Sequence, residues 1–83
     1  MPAVLSALGL RAVIYPNDHR PAHVHVMGNG CEAVFESHCL DGPPELRVNY
    51  CFTRKQRGLI AAWLIENLAQ SCAKWRHIHG NFT

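Results

Sequence analysis

The chain has 83 residues, 48% hydrophobic and 17% charged, with a formal net charge of +2. That length leaves room for one domain and that balance is globular, so a second domain and disorder are excluded. No apolar run approaches the roughly 18 residues of a membrane span, and no membrane partner is expected. A core this small has little stabilisation to spare, which favours self-association.

The first residues, Met1 to Gly9, carry no basic residue and no long apolar run, so they do not read as a secretory signal and the expected location is the cytoplasm. The four cysteines, Cys31, Cys39, Cys51 and Cys72, form no Cys-x-x-Cys pair. Their spacing fits neither a zinc ribbon nor a thioredoxin motif, and in a reducing compartment free thiols are expected. In a secreted chain the same even count would mean two disulfides.

Apolar stretches Val4–Leu8 and Leu10–Tyr15 flank Gly9 and predict an opening hairpin. Pro16-Asn17-Asp18-His19-Arg20-Pro21 is a loop, because two prolines fix φ and remove amide donors. Ala22 to Met27 alternates as a strand does, with Ala22, Val24 and Val26 on one face and His23, His25 and Met27 on the other. Gly28-Asn29-Gly30 signals a turn into a strand over Cys31–His38. After the break at Leu40–Pro44, Glu45–Phe52 places Leu46, Val48, Tyr50 and Phe52 at strict alternation and predicts a fifth strand.

From Thr53 the apolar period becomes helical, through Ile60, Trp63, Leu64, Leu68, Cys72, Trp75 and Ile78. Thr53 and Gln56 match a capping box, and Gly80 stands where a C-terminal cap belongs. Unbroken, such a helix would run about 39 Å, longer than a sheet of six-residue strands near 20 Å. It is expected to break near Asn67 or to overhang into a partner subunit. The fold class is therefore α+β: residues 1–83 form a mainly antiparallel sheet of four to five strands with a long C-terminal helix on one face. Trp63, Leu64, Leu68 and Trp75 are expected to pack on Val13, Val24, Val26 and Val34.

Three imidazoles fall within seven residues, His19-x-x-x-His23-x-His25, preceded by Asp18. His23 and His25 share a strand face about 6.6 Å apart along the axis, so both can lean toward one ion. Zinc or a similar divalent ion needs three or four ligands, and His19 or Asp18 would supply the next. The same residues equally suit ordinary hydrogen bonds at an interface, or a surface that charges on mild acidification. Glu32 or Glu36 on the paired strand is the nearest general base for a metal-activated water.

Arg54, Lys55 and Arg57 crowd the first helical turn, where cations oppose the dipole and an anion would be favoured. A solvated face is the plainer reading, and nucleic acid has only this weak support. Lys74, Arg76, His77 and His79 complement the dipole in the last turns, which accounts for them structurally. No nucleophile elbow and no phosphate-binding glycine loop is present.

Tyr15-Pro16-Asn17-Asp18-His19-Arg20-Pro21-Ala22-His23-Val24-His25-Val26 resembles the signature of a small bacterial family, domain of unknown function 4160, and Trp75-Arg76-His77-Ile78-His79-Gly80 is similar to its closing segment. The resemblance implies a compact α+β protein with His19, Pro21, His23 and His25 as characteristic residues. The family usually has two prolines before the second histidine, where this chain has Pro21 and Ala22. The resemblance also implies genes that lie beside another small gene, as in toxin–antitoxin pairs or mobile cassettes, and no established activity. The leading expectation is a non-enzymatic interaction module that self-associates and meets a protein partner. The alternative is a metal-dependent hydrolase or nuclease built on His19, His23 and His25.

Overall fold

The structure is a computed structural model that describes residues 3–7 as backbone, and 9–15, 17, 21–39 and 42–80 in full. Five strands form one antiparallel sheet in chain order: β1 (Ala3–Ala7), β2 (Leu10–Val13), β3 (His23–Gly28), β4 (Cys31–Glu36) and β5 (Glu45–Tyr50). Two helices follow, α1 (Arg54–Glu66) and α2 (Leu68–His79). No helix among the described residues is long and apolar enough to cross a membrane. The α+β fold expected from the patterning is the fold observed, and the helix breaks at Asn67 as its excess length requires.

Turn chemistry fixes the register. Asn29 and Gly30 both have positive φ, 53° and 79°, as a two-residue hairpin turn that follows strand twist demands. Gly28 therefore pairs with Cys31, and each earlier residue of β3 follows in step, down to His23 opposite Glu36. One face of the sheet carries Ala12, Val24, Val26, Ala33 and Phe35, which form a buried cluster with Ile14, Phe52, Ile60, Leu64 and Trp75. The opposite, more open face meets α2 at the end where β3 begins, through His23 and Trp75. It consists of three cross-strand rows: Arg11, Met27, Glu32 and Tyr50; then Val13, His25, Val34 and Val48; then His23, Glu36 and Glu45.

Strand β5 departs from strict alternation. Phe35 pairs with Leu46 while its neighbour Val34 pairs with Val48, so Arg47 is an extra residue in the ladder. Such a bulge reverses which face the following residues occupy. Leu46 packs against the core, whereas Val48 and Tyr50 are 38% and 62% exposed. The expected core also changes in detail: Val34 is only half-buried on the open face, Leu68 is half-buried outside the cluster, and Val13, although buried, pairs with His25 rather than joining it.

Helix α1 starts with the full capping box. Gln56 N–H donates to Thr53 Oγ1 at 3.1 Å and Thr53 N–H to Gln56 Oε1 at 2.7 Å. At the junction, the Asn67 N–H keeps the ordinary helical bond to the Trp63 carbonyl at 3.2 Å, and the Asn67 side-chain amide donates to the same oxygen at 2.8 Å. Gly80 ends α2 at φ 89°, and its N–H bonds the Arg76 carbonyl.

The cysteines are paired, contrary to the free thiols expected. Cys31 is bonded to Cys51 and Cys39 to Cys72, with Cα atoms 5.4 Å and 5.8 Å apart. Their spacing held no signal because each partner is supplied by topology: the first bridge joins the start of β4 to the end of β5, and the second joins the segment after β4 to the middle of α2.

Candidate functional site

The end of the open face where β3 begins gathers three of the chain's six imidazoles, those of His23, His25 and His79. His23 Nδ1 lies 2.9 Å from the Pro21 carbonyl, which can only accept, so that nitrogen carries a proton. His25 Nδ1 lies 3.2 Å from Glu32 Oε2, and a carboxylate assigns the proton in the same way. In the neutral tautomer the lone pair of each ring is thus on Nε2. The two ring centroids are 5.3 Å apart, edge-on, and Tyr15 meets His25 edge-on at 4.8 Å.

Helix α2 reaches round to the same place. Trp75, almost fully buried, is 5.2 Å from the His23 ring and 4.1 Å from that of His79. His79 Nε2 donates to the Tyr15 carbonyl at 3.3 Å. A continuous chain of rings therefore runs Tyr15, His25, His23, Trp75, His79 and returns to Tyr15 by a hydrogen bond. Capping the dipole is only part of what His79 does. Its contacts span 64 residues of sequence, a pairing that no local pattern announces.

Across β4 the third row of the open face continues into a charged cluster. His38 Nε2 lies 2.9 Å from Glu45 Oε1, and His38 Nδ1 lies 3.5 Å from Glu36 Oε2. Arg47 clasps Glu36 through Nε, at 2.8 Å, and through its terminal nitrogen, and approaches Glu45 at 3.8 Å. The His38 hydrogen bond, and then the Arg47 charge, hold the Glu45 carboxyl below its ordinary value of 4.5. The hydrogen bond to Glu36 raises Arg47. Among the described residues, Glu36, His38 and Glu45 are the group whose potential ligand atoms all lie within 4.8 Å of one another. The Arg47 guanidinium and the His38 imidazole already answer the two carboxylates there.

The residues singled out in the sequence separate accordingly. His23 and His25 come together, with Glu32 and Glu36 beside them as the nearest carboxylates. Asp18 and His19 lie outside the described residues, and so does the completion of a ligand set through them. Arg54 and Lys55 are exposed in the first turn of α1, where no acidic residue occurs, and Arg57 Nε is turned back to the Thr53 carbonyl at 3.4 Å. Glu45, His38 and Arg47 escaped sequence reasoning, although counting outward from the Asn29-Gly30 turn would have set Glu36 beside His23.

With this geometry in view, the comparison with protein families is direct. The model of the domain of unknown function DUF4160 matches residues 9–76, and the chain belongs to that family. No curated protein and no solved structure matches the chain.

Proposed function

We propose that the protein is a non-enzymatic bacterial interaction module that works as a homo-oligomer and binds a protein partner, as one half of a toxin–antitoxin-like or mobile-cassette pair. The observation that carries this reading is the exposure of large apolar side chains on two elements: Val48 and Tyr50 on the edge strand, and Leu59 and Ile65 on α1, the latter two 56% and 54% exposed. An 83-residue chain with a thin core gains stability by covering such surface. The histidines fit this reading too, since His23, His25 and His79 each engage a protein oxygen and a neighbouring ring. Native mass spectrometry of untagged protein is the test. A metal-free oligomer supports the proposal, and a single subunit at every concentration overturns it. Co-expression with the product of the adjoining gene checks the pairing by the same readout.

A second reading, a metal-dependent hydrolase or nuclease, is favoured by one specific feature. Ligating histidines commonly donate their other ring N–H to a carbonyl or carboxylate, and His23 and His25 do so to Pro21 and Glu32. Zinc or a similar ion would be held by Nε2 of both, with His19 or Asp18 as the next ligand. A stoichiometric ion lost in His23→Ala selects this reading over the first.

The location proposed is the cytoplasm. The two disulfides pull the other way, toward an oxidising compartment. Alkylation of cysteines in intact cells, before and after reduction, decides between them.

A further inference from the structure

The outward face of α1 has an arrangement that an isolated chain does not account for. Lys55, Gly58, Leu59, Ala62, Ile65 and Glu66 are all exposed and, at 3.6 residues per turn, lie on the side opposite the buried Ile60 and Leu64. A glycine in mid-helix weakens it, and a methyl group at position 58 would meet no atom within 4 Å, so packing inside the chain does not require this one. The charges are also reversed with respect to the helix dipole. Arg54, Lys55 and Arg57 occupy the positive end, where no acid is present, and Glu66 occupies the negative end, where no base is. Neither Lys55 nor Glu66 forms an ion pair among the described residues.

Each of these features is answered by a second copy of the same helix laid antiparallel. We propose that α1 is the homodimer interface, with the two-fold axis crossing the helix at about the level of Ala61, one residue below the outward-facing Ala62. In that arrangement Ile65 of one copy lies over Gly58 of the other, in the space that the missing side chain leaves. Glu66 of one copy meets Lys55 of the other, twice over. The basic start of each helix faces the acidic, negatively polarised end of its neighbour, so charges that are misplaced in one chain become complementary in two. Small Ala62 next to the axis lets the helices approach, and Leu59 flanks it on the other side. A two-fold contact must be self-complementary in this way. The inference rests on the homo-oligomer reading above and names its surface.

The test is sedimentation equilibrium on the full chain and three variants, Lys55→Glu, Glu66→Lys and the double exchange, with helix content checked by circular dichroism. Each single variant sets like charges together and is expected to raise the dissociation constant about tenfold or more, while the double exchange restores it to within about threefold. Lys55→Glu adds a second signature. It places an acid at the helix start, so its thermal midpoint at low protein concentration should rise while its association weakens. If the unaltered chain sediments as a monomer throughout, the homo-oligomer reading fails and this inference with it. If it is a dimer that ignores both single exchanges, the homo-oligomer reading stands and the α1 interface is overturned. If the single variants weaken association and the double does not recover it, the antiparallel register is wrong.

Discussion

His79 and Tyr15 stand 64 residues apart in the chain, yet the imidazole Nε2 of the first donates to the carbonyl of the second at 3.3 Å. The C-terminal helix is thereby fastened to the backbone just beyond the end of β2. Trp75 fills the angle between them, in ring contact with both His79 and His23.

Truncation of these two residues separates packing from polarity. Trp75→Ala empties a nearly fully buried site and is expected to cost about 3–5 kcal/mol. His79→Ala loses one long hydrogen bond and a ring contact, worth about 1 kcal/mol. Urea denaturation of both variants gives the comparison, and equal losses would mean that the Tyr15 contact carries more than its geometry implies.

The covalent bridges differ in the length of chain they close, 20 residues for Cys31–Cys51 and 33 for Cys39–Cys72. Loop-closure entropy predicts that opening either costs about 3–4 kcal/mol, slightly more for the second. Denaturation with and without reductant, on the paired Cys→Ser variants, measures each. The Cys39–Cys72 variant carries the added cost of a hydroxyl at the fully buried position 72, so Cys72→Ala is the cleaner partner there.

The start of α1 depends on a reciprocal pair of hydrogen bonds. Thr53→Ala removes the acceptor for Gln56 N–H and should cost about 1 kcal/mol. Gln56→Ala leaves that bond and removes only the return contact to Thr53 N–H. A thermal scan should therefore rank Thr53→Ala as the less stable of the two.

Acid should loosen the β4–β5 end of the open face. The Glu45 carboxyl lies below 4.5 in the folded chain, because His38 and Arg47 favour its charged form. Its contribution is present above that ordinary value and is lost as pH falls through the lower folded one. Glu45→Gln should accordingly be less stable than the unaltered chain near neutrality and converge with it in strong acid. A constant gap across the whole range would remove Glu45 from the account.

Much of this architecture can be read from the chain because local chemistry dictates it. Asn29-Gly30 sets a hairpin, Thr53 and Gln56 open a helix and Gly80 closes one. The alternation of Val24 and Val26 against His23 and His25 assigns the faces of β3 correctly, since period-two patterning survives wherever the ladder is regular. It misleads in β5, where one extra residue reverses the sense and no residue type marks the place. The site is only half legible for a related reason. His23 and His25 are visible as neighbours in sequence, but His79, Trp75 and the cysteine partners arrive from helices whose placement depends on the whole packed core.

The extra residue at Arg47 also makes the face shown by the edge strand indifferent to its own removal. Deleting Arg47 would leave Leu46 opposite Phe35 and Val48 opposite Val34, now as neighbours in a regular ladder, so Val48 and Tyr50 would keep their exposed side while the guanidinium is taken away from Glu36. A deletion at any regular position of β5 would instead shift the pairing by one and turn the strand over. One position in the strand is thus expendable for its register and needed only for its charge.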